Sequence, residues 1–206
     1  MRMFLLITRP RYDKETHYLY YWTESLVGEA ESKHWQVFNL EKEKAIRQNV
    51  ESYLKKHKPQ VIVFNGHGNE ACVMGQDGDI LLEANINTEL LKGAIVYMRA
   101  CDAGKLLGPD AIEKGARNFI GYEELFRFWA RQEKFHKPLE DDYAKPFLEC
   151  SNQVVISLIK GKTAEEAQAD SMALYKKSIG KLLTSESSNS FLVPDLIWNM
   201  VNQVCL

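Results

Sequence analysis

A chain of 206 residues, 45% hydrophobic and 26% charged, has the composition of a soluble globular protein, and its length is that of one α/β domain spanning residues 1–206. The formal net charge of -2 and pI near 6.2 give no global pull toward nucleic acid or an anionic membrane, so neither is expected as a partner. The four cysteines (Cys72, Cys101, Cys150 and Cys205) lie far apart, with no CxxC and no histidine at zinc-like spacing, which predicts a cytoplasmic protein with free thiols and no structural metal.

The apolar start, Met3 to Ile7, is too short for a signal-peptide core and runs at once into Arg9-Pro10-Arg11. No run approaches the roughly 18 apolar residues of a membrane-spanning helix. Residues 4–8 read as a first strand, and residues 15–32 as a helix with Tyr18, Tyr21, Trp22, Leu26 and Val27 at helical spacing. Residues 35–40 follow as a second strand. Residues 43–57 carry Ala45, Ile46, Val50, Tyr53 and Leu54 on one stripe, with lysines clustered at the C-terminal end where the helix dipole favours them.

Val61-Ile62-Val63-Phe64 is a short, continuous, β-branched run between Pro59 and Asn65-Gly66-His67-Gly68, the pattern of a central parallel strand that opens into a loop. Residues 71–74 and 79–82 form a hairpin around Gln76-Asp77-Gly78, because Asp-Gly supplies positive-φ turn residues. The acids there fit a turn rather than a calcium loop, which needs many more oxygen ligands. Residues 87–93 read as a short capped helix ending at Gly93. Ala94-Ile95-Val96-Tyr97-Met98 is a second buried strand, ending in Arg99-Ala100-Cys101-Asp102-Ala103-Gly104.

A helix over 106–114 and a strand over 116–121 continue the α/β alternation. Residues 122–145 then break it. Rich in charge and aromatics, they fit a helix with a following loop, and Phe126 to Phe135 is either a core-facing stripe or a partner-binding and gating segment. A strongly apolar helix over 147–160 and a second helix opened by the Thr163-Ala164-Glu165-Glu166 capping box follow. Residues 185–190 read as a polar linker and 191–205 as a last apolar segment.

The chemistry concentrates at two strand ends. In an open parallel sheet, ligands meet the chain just past the carboxyl ends of the strands, where both His67 and Cys101 fall. A thiolate is the reactive form of cysteine, and a neighbouring imidazole can take the thiol proton and later deliver it to a leaving amine. The glycines around His67 would let a substrate backbone approach closely, and the Gly68 and Cys101 amides could hold a developing oxyanion. The other histidines (His17, His34, His57 and His136) and the other three cysteines read as packed or solvated residues. No stretch matches a P-loop or a dinucleotide fingerprint, so no cofactor is expected.

A strand, Gly66-His67-Gly68, a hairpin, a second strand and Ala100-Cys101-Asp102-Ala103-Gly104 together resemble the caspase-like cysteine peptidases, and are most similar in style to the bacterial CHAT-domain branch. The resemblance runs over about residues 1–180. It implies a three-layer sandwich in which a mostly parallel sheet carries helices on both faces and a small hairpin near the active site. It also implies a thiol protease with a His67–Cys101 dyad acting on a protein or peptide substrate. A peptidase loose in the cytosol has to be restrained, which points to a regulatory partner or an ordering step acting on residues 122–146. By strand alternation Arg99 shares a face with Cys101, and the resemblance makes that position a wall of the pocket for the residue before the scissile bond. Arg99 there favours an acidic residue, Asp102 would favour a basic one unless it only caps the next helix, and a small or polar residue is the third option. Two rivals stand beside this reading. One is a non-catalytic caspase-like scaffold. The other is a cysteine-dependent amidase or amidotransferase, although there the nucleophile usually precedes its histidine and a glycine stands where this chain has Arg99.

Overall fold

The computed structural model describes residues 3–184 and 188–206. Its strands in chain order are β1 (Phe4–Arg9), β2 (Gln36–Glu41), β3 (Val61–Asn65), β4 (His67–Gly68), β5 (Cys72–Met74), β6 (Ile80–Glu83), β7 (Ile95–Arg99), β8 (Asn118–Tyr122) and β9 (Gln203–Cys205). The helices are α1 (Lys14–Trp22), α2 (Glu24–Ser32), α3 (Arg47–His57), α4 (Leu107–Glu113), α5 (Lys145–Ile159), α6 (Ala164–Leu182) and α7 (Val193–Asn202). The main sheet runs β2-β1-β3-β7-β8-β9, parallel throughout except for antiparallel β9 at one edge. Because β3 and β7 are covered on both faces, their side chains alternate between two apolar cores rather than between core and solvent.

On one face Ile62, Phe64, Val96 and Met98 pack with Val50 and Leu54 of α3 and with Leu107 and Ala111 of α4. On the other, Val61, Val63 and Tyr97 meet Leu26 of α2, Val154 and Leu158 of α5 and Ala167 of α6. Each fully buried Val, Leu or Ile contributes about 1.5–3 kcal/mol of transfer free energy. The three-layer α/β arrangement follows from those two stripes.

Several sequence expectations change in detail. The helix over 15–32 is two helices, broken at Thr23, whose hydroxyl donates to the Leu19 carbonyl (2.7 Å) and accepts from the buried Arg9 Nε (3.2 Å). The helix over 43–57 starts only at Arg47, where the Asp79 carboxylate from the hairpin turn accepts the Arg47 N–H at 2.6 Å. The turn itself is as expected, with Asp77 and Gly78 both at positive φ (54° and 80°). The capped helix over 87–93 is one 3₁₀ turn, Thr88–Leu91, with no side-chain cap. Of the expected helix and loop over 122–145, Tyr122 closes β8 and Lys145 opens α5, and residues 123–144 contain no α-helix, only 3₁₀ turns at Gln132–Lys134 and Pro138–Glu140. The segment 191–205 ends in β9, so Val204 and Cys205 belong to a strand. The Thr163–Glu166 capping box forms as read, with Thr163 N–H to Glu166 Oε2 at 2.9 Å. Residues 185–187 of the expected linker lie outside the described residues.

Candidate active site

The register between β3 and β7 places Asn65 opposite Arg99, so the residues that leave these two strands begin side by side. Gly66 N–H donates to the Arg99 carbonyl at 3.3 Å, and the chain turns back as β4, antiparallel to β5, with His67 opposite Met74. The glycines beside His67 answer to the protein's own packing. A β-carbon at Gly66, whose φ is +157°, would collide with the Met74 carbonyl, and one at Gly68 would sit 2.8 Å from the Ala100 β-carbon and 3.2 Å from the Cys101 carbonyl oxygen. The expectation that they open room for a substrate is therefore corrected: that space is filled by β5 and by the Ala100–Cys101 backbone. Their close packing is what seats β4 against the cysteine turn.

His67 has a partner that sequence spacing did not reveal. Its Nε2 lies 2.6 Å from Oδ2 of Asp13, while the Tyr12 ring stands edge-on to the imidazole at 6.1 Å. Asp13 is the N-cap of α1. Its Oδ1 accepts the Thr16 N–H at 2.8 Å in a reciprocal capping box, which leaves Oδ2 for the imidazole. Burial works against the charged carboxylate, but the Thr16 hydroxyl and amide and the His67 ring outweigh it and hold its pKa below the ordinary value. The signal available in the sequence was Asp13-x-x-Thr16 ahead of a helix. Nothing local pointed from it to a histidine 54 residues away.

Cys101 shares a small cavity, about 40 Å³, with His67, Arg99, Glu15, Phe126 and Phe128. No hydrogen bond joins the thiol to the imidazole among the described residues. Burial pushes the thiol pKa up and the Asp102 carboxylate adds to the rise, while a hydrogen bond from the Phe126 backbone pulls the other way. Asp102 itself is left-handed (φ 59°), the turn that bends the chain away after Cys101. Its carboxylate is held by Lys105 Nζ at 2.8 Å, with Glu124 on the same ammonium at 3.3 Å. A second, larger groove of about 340 Å³ continues from this cavity, sharing Glu15, Phe126 and Phe128 with it and running on to Arg127, Trp129 and Asp195.

Arg99 is fully buried. Its Nη2 donates to Asn152 Oδ1 at 2.6 Å, Asn152 is anchored in turn by the Trp22 carbonyl at 2.7 Å, and the guanidinium lies 5.7 Å from the Tyr97 ring centroid. Arg99 Nε and Nη1 have no hydrogen-bond partner.

The segment over the cavity is extended. Asn199 of α7 holds the backbone of Arg127 on both sides, accepting its N–H at 2.9 Å and donating to its carbonyl at 2.6 Å. The buried Asp141 accepts from Tyr18 Oη (2.6 Å) and from the Arg131 (2.8 Å), Tyr143 (3.0 Å) and Ala144 (3.3 Å) amides. Side chains fix this irregular stretch, with Phe126 and Phe128 turned inward and Trp129 exposed. His17, expected to be a packed residue, stacks on Phe135 at 4.2 Å with Nε2 against its carbonyl. Asp13, Glu15 and His67 each bring a ligand atom within 4.8 Å of the others, so this trio is the set of described residues that could hold a cation. The spacing argument from the cysteines could not have shown it.

Solved structures match this fold. The fold is the caspase-like fold of the gingipains. The crystal structure of the Arg-specific cysteine proteinase gingipain R superposes with a TM-score of 0.57 at 10% sequence identity, covering 94% of this chain and 44% of that one. A complex of the pro- and mature domains of the Porphyromonas gingivalis proteinase matches with a TM-score of 0.61, also at 10% identity, covering 98% of this chain and 46% of that one. This chain thus spans less than half the length of these neighbours. No protein-family model and no curated protein matches it. No helix among the described residues is long and apolar enough to cross a membrane.

Proposed function

We propose that this protein is a cysteine endopeptidase in which Cys101 is the nucleophile, His67 the proton shuttle and Asp13 the residue that positions the imidazole. The observation that carries this reading is the shared cavity: Cys101 and His67 line one small hollow at the carboxyl edge of the sheet, and the Asp13 carboxylate lies 2.6 Å from Nε2 of the ring. A proton held on Nε2 by Asp13 leaves Nδ1 free to accept the Cys101 proton. The thiolate then adds to the peptide carbonyl, forming a C–S bond and an oxyanion that the Gly68 and Cys101 amides receive. Collapse expels the amine as it takes the proton from His67, leaving a thioester. Water, deprotonated by His67, adds to the thioester, and release of the acid returns the proton to the thiol.

The raised Cys101 pKa and the tightness of the cavity describe a resting site. Displacing Phe126 and Phe128 would open it, which fits control by a protein partner or an ordering step in residues 122–146. The same closure is the observation that favours the second reading, a caspase-like scaffold without turnover. The His-Gly and Ala-Cys-x-x-Gly motifs are what support a place near the CHAT-domain branch, and the free thiols support a cytoplasmic location. The test is cleavage of a random peptide library by purified protein beside Cys101→Ser and His67→Ala. Cleavage lost in both variants supports the peptidase. Cleavage that survives Cys101→Ser, or no cleavage by any preparation once the 126–128 segment is loosened, removes it.

A further inference from the structure

Donor atoms for a cation gather at the rim of the same cavity. Asp13, Glu15 and His67 each bring one ligand atom within 4.8 Å of the other two, and among the described residues no other set of three histidine, cysteine or carboxylate side chains does so. Two of the three belong to the start of α1 and the third to β4, so the set forms only where β4 folds back over that helix. Part of it has an ordinary explanation, since Asp13 caps α1 and the helix dipole favours an acid in the first turn. Glu15, however, takes no part in the capping box, and among the described residues neither carboxylate is paired with a lysine or arginine. Two carboxylates held this close repel each other, and the imidazole between them supplies at most one positive charge. A divalent cation would balance both.

The donors select the kind of ion. One imidazole nitrogen and two carboxylate oxygens suit a first-row divalent transition ion of the zinc class, whereas Ca²⁺ and Mg²⁺ are hard ions that prefer shells made of oxygen alone. Asp13 Oδ1 is held by the Thr16 amide at 2.8 Å and hydroxyl at 2.6 Å, which orients the carboxylate with Oδ2 toward the ring. The side chains of His67 and Asp13 are 40% and 30% exposed and Glu15 is exposed, so an ion from solvent reaches all three and water completes its shell. Two ligands on a tetrahedral ion with bonds of about 2.1 Å sit roughly 3.4 Å apart. The Asp13–His67 pair, now at 2.6 Å, would open by less than about 1 Å, and the exposed Glu15 side chain would swing in by up to about 1.4 Å. Cys101 is not part of the set.

We propose that Asp13 Oδ2, Glu15 and His67 Nε2 form a site for a zinc-class divalent ion, and that the ion switches the peptidase off by occupying the nitrogen that Asp13 otherwise holds. The switch rests on the peptidase reading; the site does not. In that reading the neutral ring carries its proton on Nε2 and offers the Nδ1 lone pair to the thiol. An ion on Nε2 uses the lone pair there, so the single proton of the neutral ring sits on Nδ1 and no lone pair remains for Cys101. No bond to the thiol is made or broken. Removing the ion returns the proton to Nε2 beside Asp13 and restores the base.

The experiment titrates chelator-treated native protein and Glu15→Gln, a change at an exposed position, with Zn²⁺ and, as a control, Mg²⁺. It reads the calorimetric affinity, the imidazole nitrogen NMR spectrum, in which His67→Ala identifies the His67 signals, and the rate at which iodoacetamide alkylates Cys101. Native protein is expected to bind Zn²⁺ at least about tenfold more tightly than Glu15→Gln. The His67 signals should become those of a ring ligated through Nε2 and protonated on Nδ1, with Mg²⁺ leaving them unmoved, while Cys101 alkylation continues unslowed. Peptide cleavage by the native protein is expected to fall at least about tenfold at saturating Zn²⁺ and to return with chelator. His67 signals unmoved by saturating Zn²⁺, equal affinity in Glu15→Gln, or Zn²⁺ that shields Cys101 from alkylation would each overturn the site. Zn²⁺ seated on the trio with cleavage undiminished overturns the switch. Chelator-treated protein that cleaves nothing sinks the peptidase reading alone, because affinity, ring spectrum and alkylation still decide the site.

Discussion

Asp13 carries two duties through two oxygens, and they can be separated. Asp13→Ala removes the cap on α1, which costs about 0.5–2 kcal/mol, and releases His67 Nε2. For a chain of this length about 1 kcal/mol moves Tm by roughly 2–4 °C, so a drop of about 1–8 °C is expected. Asp13→Ser keeps an oxygen for the Thr16 N–H but is one atom too short to reach the imidazole. Its Tm is expected within about 2 °C of native, while peptide cleavage falls about 100-fold, the scale of a mispositioned general base. Asp13→Asn retains the cap and the reach but not the charge, so its Tm should stay near native while cleavage falls as it does in Asp13→Ser. The stability signature has a definite sign. Because the folded-state pKa of Asp13 lies below its ordinary value of 3.8, its contribution is fully present above that value and is lost as pH falls further, through the lower folded value. The gap in unfolding free energy between native protein and Asp13→Asn should therefore be flat above about pH 5 and close at lower pH. If cleavage by Asp13→Ser matches native, or if the activity losses of the three variants simply follow their Tm values, Asp13 is a helix cap and nothing more.

Other consequences can be checked separately. Gly68→Ala forces β4 away from the Ala100–Cys101 turn and is expected to cost about 1–3 kcal/mol, read by chemical denaturation, with a larger proportional loss of cleavage than of stability. Iodoacetamide should alkylate Cys101 with a rate that climbs only above the ordinary thiol pKa, because burial raises it in the resting site, and a midpoint below pH 7 would contradict that closure. Cys150, pushed up to about 12 by burial and lying close to Ser178, should stay unlabelled in the folded protein throughout. Asn199→Ala strips both backbone partners from Arg127, is expected to cost about 1–3 kcal/mol, and should speed Cys101 alkylation by loosening Phe126 and Phe128. An unchanged alkylation rate in that variant would show that the segment does not gate the thiol.

What the sequence disclosed was what periodicity and turn chemistry can carry. Val61 to Asn65 and Ile95 to Arg99 are continuous apolar runs because both faces of their strands are covered, and their ends locate His67 and Cys101. The Asp77-Gly78 turn and the Thr163 capping box are local signals and form where read. The failures are long-range. Thr23 breaks a helix because Arg9, from the first strand, is buried against it. Residues 122–145 take their path from Asn199 and Asp141, which satisfy backbone groups that a helix would have satisfied internally. β9 follows α7 without a breaker, and only pairing with Gly121 and Tyr122 makes Val204 and Gln203 a strand. Asp13 announces itself as a cap, and its second role exists only once β4 has folded back over α1. The isolation of Arg99 is likewise invisible in one dimension, since an unmatched charge is defined by what fails to surround it.

The most direct measurement of the central claim is the intact mass and peptide map of the protein after reaction with a single peptidyl acyloxymethyl ketone. One adduct on Cys101, formed by the native chain and lost in His67→Ala while that variant keeps its native melting curve, is the expected result. An adduct on Cys72, Cys150 or Cys205 instead, or equal labelling of Cys101 with and without the imidazole, would mean that the two groups lining this cavity do not act together.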